Sequence, residues 1–344
     1  MPELFRDHTT LRLGGPARSW VRATSEAELV GAVSAADDAG EPVLVLGGGS
    51  NLVVADAGFD GTVVEVATSG ITADSDDPDD LACLGAVTVK VAAGESWDEL
   101  VAHAVRQGWV GVEALAGIPG LVGAVPIQNV GAYGQEVSQT IAQVRTWDRG
   151  ECALRTFSTT ECGFGYRTSR FKQEPSRYVV LDVTFLFRQG TLGAPVEYAE
   201  LARALGVELG DRAPMADVRE AVLGLRRGKG MVLDPADHDT WSAGSFFTNP
   251  IVDPDAVPEG APSWPLPDGR VKTSAAWLIE RAGFGKGYGD GRVRLSTKHT
   301  LAVTNRGEAT TAELLELARE LRDGVRDRFG IGLVNEPVLV GCRL

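Results

Sequence analysis

Thiols, imidazoles and long apolar runs are scarce in this 344-residue chain, and each shortage excludes something. The four cysteines (Cys83, Cys152, Cys162 and Cys342) show no CxxC spacing, so they read as free thiols in a reducing compartment. The four histidines (His8, His103, His238 and His299) have no metal-ligand spacing, and no metal is expected. No apolar run reaches membrane-spanning length, and the opening MPELFRDHTTLRLGG is charged too early for a signal peptide. The expectation is a cytoplasmic protein without a membrane span. Basic residues number 33 against 47 acidic ones, a net charge of −14. That balance argues against nucleic acid or an anionic membrane surface as partner, and it makes local basic clusters more telling.

Charge is missing altogether from Gly117–Gly134, GIPGLVGAVPIQNVGAYG. Glycine this dense suits neither a helix nor a strand interior, because it loses much conformational entropy on folding. The segment therefore reads as buried backbone lying close against a large ligand, to which it offers N–H and C=O groups. A tight packing loop between sheets is the alternative. A second cluster, Pro42–Val54 (PVLVLGGGSNLVV), runs from strand through three glycines to strand. No helix opens after the glycines, so this is not a Rossmann turn, although successive N–H groups can still cradle phosphate. Together the two segments suggest a cofactor with a pyrophosphate and a flat ring system. The glycine series Gly283–Gly291 (GFGKGYGDG) lacks a strand before it and a helix after it, and reads as a mobile loop.

Apolar spacing and caps predict helices over 24–40, 97–107, 215–225, 275–282 and 311–329. Strands are expected at 43–46, 52–54, 62–66, 87–93, 144–147, 178–187, 293–295 and 301–304, with a last one over 333–341 interrupted at Pro337. The acidic stretch 72–80 reads as a surface loop, and 253–269, rich in proline and acid, as an exposed excursion.

Further pieces follow one another along nearly the whole chain: His8–Ala17 (HTTLRLGGPA), Leu46–Leu52 (LGGGSNL), Gly94–Trp97, Ile118–Gly134, Cys162–Lys172 (CGFGYRTSRFK), Gly244–Pro250 (GSFFTNP), Ala275–Ala282 and Asn335–Pro337. In this order they resemble the UDP-N-acetylenolpyruvoylglucosamine reductase (MurB) family, flavoproteins of peptidoglycan synthesis. The PIQNVGAYG wording and the Tyr198 region (APVEYAEL) look like the longer subtype, which closes a tyrosine-bearing loop over substrate. The resemblance implies an α+β chain with a vanillyl-alcohol-oxidase/PCMH-like FAD-binding fold in two subdomains and a third, α+β substrate-binding domain. The expected boundaries are 1–67 (with the C-terminal strand, 331–344), 68–230 and 231–330. It implies non-covalent FAD along Gly47, Gly48, Gly49, Ser50 and Asn51, and along Ile118, Pro119, Gly120, Gly123, Gln128, Asn129, Gly131, Ala132 and Tyr133. NADPH is the implied hydride donor, a small-molecule UDP-sugar enolpyruvyl ether the substrate, and a monomer the expected state.

The reaction so implied passes hydride from NADPH through FAD to C3 of the enolpyruvyl group. Charge left at C2 spreads into the carboxylate as an enolate, which calls for preorganised donors and positive charge. C2 then needs a proton from a group held close. Arg167 matches the cationic role, since guanidinium offers a rigid fork for a carboxylate. Ser245 matches the proton donor. Glu336 matches the enolate partner, and helps only if protonated or acting through a water, which requires a pKa raised by burial. Lys229 matches the diphosphate-binding position, Asn249 and His299 contact substrate, and Tyr198 closes over it. His299 stands where some relatives have glutamine. By residue type alone Arg167 and Glu336 are surface charges, Ser245 a strand-end hydroxyl and Lys229 a solvated helix end. Two other readings compete. One is a sugar or hydroxy-acid oxidase of the same fold. Such enzymes often tether flavin through a histidine near the glycine turn, and no histidine lies between His8 and His103. The other is a nucleotide-binding protein without activity.

Overall fold

The computed structural model describes residues 2–74 and 85–344. The chain divides into two compact units, Arg18–Gly48 with Gly61–Arg227, and Met1–Ala17 with Gly49–Asp60 and Gly228–Leu344.

The first of these holds most of the sheet. Strand Val43–Leu46 runs parallel to Phe59–Val66, which also pairs with Ala17–Ala23. A larger sheet is ordered Ala153–Ser158, Ile141–Asp148, Tyr178–Gln189, Ala86–Ala92, Ile71–Asp74, with Trp109–Val110 also on Tyr178–Gln189. Its strands pair antiparallel. Residues 179–185 of the central strand are all buried, which suits the nearly unbroken apolar run VVLDVTF. The one charge in that run, Asp182, accepts from Arg145 Nε at 2.6 Å. Helix α1 (Glu26–Asp38) begins where the Ser25 side chain accepts from Glu28 N–H, and α2 (Trp97–Gln107) where Ser96 does the same for Glu99. Each such cap is worth about 1 kcal/mol. Helices α3 (Arg170–Gln173), α4 (Ala199–Leu205) and α5 (Met215–Gly228) complete the unit.

The second unit packs α6 (Ala275–Arg281) and α7 (Thr311–Phe329) around Phe246, Phe247, Leu278, Leu314 and Leu321. A capping box between Thr310 and Glu313 opens α7, and Gly330 at φ +70° closes it. Val338–Val340 lies parallel to Leu52–Val54, so the C-terminal segment is a strand only beyond Pro337.

Some expectations hold and others change. The strands expected at 43–46 and 52–54 are present, and they join different sheets. Residues 72–74 belong to the edge strand Ile71–Asp74, not to a loop, because antiparallel pairing with Thr88–Val91 satisfies their backbone; 75–80 lie outside the described residues. The stretch 253–269 is mostly exposed, as expected of an excursion, and it contains strand Ser263–Pro265, which pairs with Val271–Thr273 in a three-stranded sheet. Helix α5 continues through Arg226 to Gly228. The late strand is Val303–Asn305, paired with Val293–Leu295.

Candidate functional site

The glycine-rich segment is half-buried, not buried: Ile118, Pro119, Gly120, Gly123, Gly131, Ala132 and Tyr133 all keep partial exposure, and Ile127 is 38% exposed. Its carbonyls and side chains hold the turn that carries Arg167. Ser169 Oγ donates to Ile127 O at 2.6 Å, Asn129 Nδ2 to Gly165 O at 3.2 Å, and Arg167 Nη2 to Gly131 O at 2.8 Å. Asn129 is only 1% exposed, and it also donates to Glu136 and accepts from Ser138 N–H. Its side chain is therefore a strut inside the segment. Asn129, Tyr133 and Arg167 have φ of +48°, +50° and +51°. Left-handed backbone costs such residues roughly 1–3 kcal/mol each, and it persists only where the surroundings over-determine it. The cross-links just named are that surrounding.

Close backbone approach explains two of the glycines. A Cβ on Gly48 would stand 2.8 Å from the Gly120 Cα, and one on Gly123 would stand 2.6 Å from the Ala93 Cβ. Gly123 N–H donates to Ala93 O at 2.8 Å, so this glycine packs against the strand behind it. The two glycine clusters thus touch at Gly48 and Gly120 and present backbone without side chains. Arg226, on α5, donates from Nη2 to Gly117 O at 3.2 Å. Burial pushes its guanidinium down to about 10, opposed by Tyr133 and Asp98 and reinforced by the like charge of Arg167. It stays cationic at neutral pH. A side-chain-poor backbone backed by cations fits an anionic pyrophosphate.

Tyr198 lies on a segment anchored from behind. It is the N-cap of α4, 46% exposed, and its ring meets that of Tyr133 edge-on at 5.5 Å between centroids.

In the other unit, Ser245 and Glu336 are brought together by the backbone. Glu336 N–H donates to Phe246 O at 2.9 Å, and Phe247 bridges Asn335 antiparallel. Asn51 joins them: its Nδ2 donates to Glu336 O at 3.4 Å and its own carbonyl accepts from Val338 N–H at 2.9 Å. Asn249 Oδ1 accepts from Ala275 N–H at 3.0 Å and so caps α6. Lys229 follows directly on α5, at partial exposure. His299 sits on a turn where its N–H donates to Ser296 Oγ. That turn is held by Asp239, 4% exposed, which accepts from Thr297 N–H at 2.9 Å and from Arg306 Nη1 at 2.8 Å.

Comparison with known proteins decides the family. A reductase from Cutibacterium acnes called UDP-N-acetylenolpyruvoylglucosamine reductase is 60% identical over 339 residues, covering 98% of this chain and 89% of that one. The chain belongs to the UDP-N-acetylenolpyruvoylglucosamine reductase family. A second member, from Thermobifida fusca, is 58% identical over 98% of this chain and 97% of its own length. The sequence model of the family's C-terminal domain matches residues 234–340, and that of an FAD binding domain matches 17–154. The crystal structure of the family member from Thermus caldophilus superimposes with a TM-score of 0.66 at 26% identity, over 99% of this chain and 98% of that chain. The fold is α+β, with FAD as cofactor.

For a member of the reductase family, the predicted residues fall into two groups, one in each unit. Arg167, Tyr133, Tyr198, Gly48 and the segment 118–133 share one unit; Ser245, Glu336, Asn51, Lys229, Asn249 and His299 share the other. Sequence reasoning passed over Arg226, Asp239 and Glu113. Glu113 had a signal: it is the single charge in WVGVEALAG, and it is fully buried.

Proposed function

We propose that Ser245 is the proton donor to C2, Arg167 the cation that stabilises the enolate, and Glu336 its partner, in the reduction of UDP-N-acetylglucosamine enolpyruvate to UDP-N-acetylmuramate. The chain is an FAD-dependent oxidoreductase of peptidoglycan precursor synthesis that draws hydride from NADPH. Bound FAD supplies the passage of hydride from NADPH to C3 of the enolpyruvyl group. The pairing of Glu336 N–H with Phe246 O carries the assignment, because it fixes the backbone of the proton donor beside that of the carboxylate. A serine hydroxyl is a weak acid, so its role needs that fixed field. Arg167, restrained by its bond to Gly131, presents a fork to the carboxylate of the substrate.

FAD lies along Gly47–Asn51 and Ile118–Tyr133, where backbone replaces side chains. Lys229 meets the diphosphate, Asn249 and His299 the sugar nucleotide, and Tyr198 closes over it. The domains are taken as 1–67 with 331–344, 68–230 and 231–330. The protein works as a cytoplasmic monomer that takes no nucleic acid, in keeping with a net charge of −14. Among the described residues no helix is long and apolar enough to cross a membrane. Anaerobic titration tests the whole reading: NADPH should bleach the bound flavin, and the enolpyruvyl sugar nucleotide should restore its colour. Bleaching without restoration would point to a different electron acceptor.

A further inference from the structure

Glu113 is fully buried, and its carboxylate ties together three separate segments. Oε2 accepts from Gly111 N–H at 2.7 Å; Oε1 accepts from Gln135 Nε2 at 2.9 Å and from Ala194 N–H at 2.6 Å. Gln135, 7% exposed, accepts in turn from Ala114 N–H at 2.8 Å. All three donors are neutral N–H groups, so the carboxyl is held by hydrogen bonds.

The segments joined are those that carry the two tyrosines. Gln135 closes the short hairpin Gly131–Ala132/Gln135–Glu136, at whose turn Tyr133 stands. Ala194 lies four residues before Tyr198. The chain between them is laid against the approach to α5: Gly193 N–H donates to Ala213 O, Arg212 Nη1 to Gly193 O, and Val196 N–H to Asp211 O. Gly193 leaves room for this anchor, since a Cβ there would stand 2.7 Å from Glu113 Oε1.

We propose that Glu113 is a positioning residue: by clamping Ala194 to Gln135 it sets the edge-on contact between Tyr133 and Tyr198, and with it the affinity for the UDP-sugar substrate. This rests on the reading that Tyr198 closes over substrate. Glu113→Leu keeps much of the volume and removes both acceptor oxygens, so Ala194 N–H and Gln135 Nε2 lose their shared partner in any rotamer. In the FAD-loaded enzyme the KM for the enolpyruvyl sugar nucleotide should rise at least about tenfold, the size expected when one buried hydrogen bond is broken. Flavin reduction by NADPH should keep its rate. Hydrogen exchange at the amides of 192–198 should quicken by a similar factor, while that of Tyr178–Gln189 stays put.

Should Glu113→Leu fail to fold, Gly193→Ala carries the same test, because its methyl group pushes the loop base off the carboxyl while Glu113 itself stays in place. Unchanged exchange at 192–198 overturns the inference. So does faster exchange with an unchanged KM, provided Tyr198→Ala raises that KM. If Tyr198→Ala leaves KM unchanged while Glu113→Leu quickens exchange, the clamp stands and the closure reading fails instead.

Discussion

Arg167 Nη2 donates to the carbonyl of Gly131 at 2.8 Å, from a residue whose own φ is +51°. One bond thus joins the catalytic candidate to the segment assigned to FAD. A guanidinium carries five donors in a rigid fork, and the bond to Gly131 restrains where that fork can point. Arg167→Lys keeps the charge but not the plane. The step that reoxidises the flavin with enolpyruvyl substrate should slow by about 10²–10³-fold, as when one preorganised donor is lost. Stopped-flow absorbance measures it, and a near-wild-type rate would remove Arg167 from the enolate.

Gly48→Ala should yield folded but largely colourless protein. Its φ is not in the left-handed region, so the cost is contact alone: the methyl group would lie 2.8 Å from the Gly120 Cα. The neighbouring backbone can yield only by parting the two glycine clusters, at about 1–3 kcal/mol. Gly31, on α1 and outside both glycine clusters, gives the control, because a Cβ there meets nothing within 4 Å. The ratio of flavin to protein absorbance compares the pair, and equal flavin content would contradict this placement.

Ser245→Ala removes a hydroxyl and nothing else from the turn after Gly244. Reduction by NADPH should stay near normal while reoxidation by enolpyruvyl substrate falls by at least about 10²–10⁴-fold, the range for a general acid. Equal losses in both half-reactions would make Ser245 structural.

Helices were the legible part of the sequence, because their ends carry local chemistry: Ser25, Ser96 and Thr310 each cap the helix that the apolar spacing predicts. The edge strand at 71–74 was not legible, since all four residues are exposed and only the partner strand makes them extended. Motif pairing was half legible. PIQNVGAYG and CGFGYRTSRFK announce themselves separately, but the bonds of Asn129 to Gly165 and Ser169 to Ile127 are contacts between positions 36 and 42 residues apart. No spacing rule reaches that far. Nor could residue type separate Asn129, an internal strut, from a ligand contact.

Acid should act on the His299 turn through Asp239. Burial pushes this carboxyl up, but hydrogen bonds from Thr297 and the charge of Arg306 outweigh it, and the net shift is downward. With a folded value below the unfolded one of about 3.9, its contribution is present above pH ~4 and is lost as pH falls through the folded value. Asp239→Asn should cost about 1–3 kcal/mol at pH 7. The difference from wild type should shrink toward pH 3, as urea unfolding at both pH values would record. A difference independent of pH would mean that packing, not charge, holds the turn.

Tyr198 should act on the sugar nucleotide and not on the flavin. Its ring stands edge-on to Tyr133 at 5.5 Å, and a pair of this kind adds roughly 0.5–1.5 kcal/mol beyond burial. Tyr198→Phe keeps the ring pair and loses the hydroxyl; Tyr198→Ala loses both. Closure over substrate predicts that both variants weaken binding of the enolpyruvyl sugar nucleotide, alanine more than phenylalanine, with reduction by NADPH intact. If the phenylalanine variant matched wild type while alanine did not, the ring pair alone would account for closure. Tyr133 belongs to the segment assigned to FAD, so a disturbed flavin site is the competing outcome. Slower flavin reduction in Tyr198→Ala, with unchanged affinity for the sugar nucleotide, would place Tyr198 in the flavin site instead.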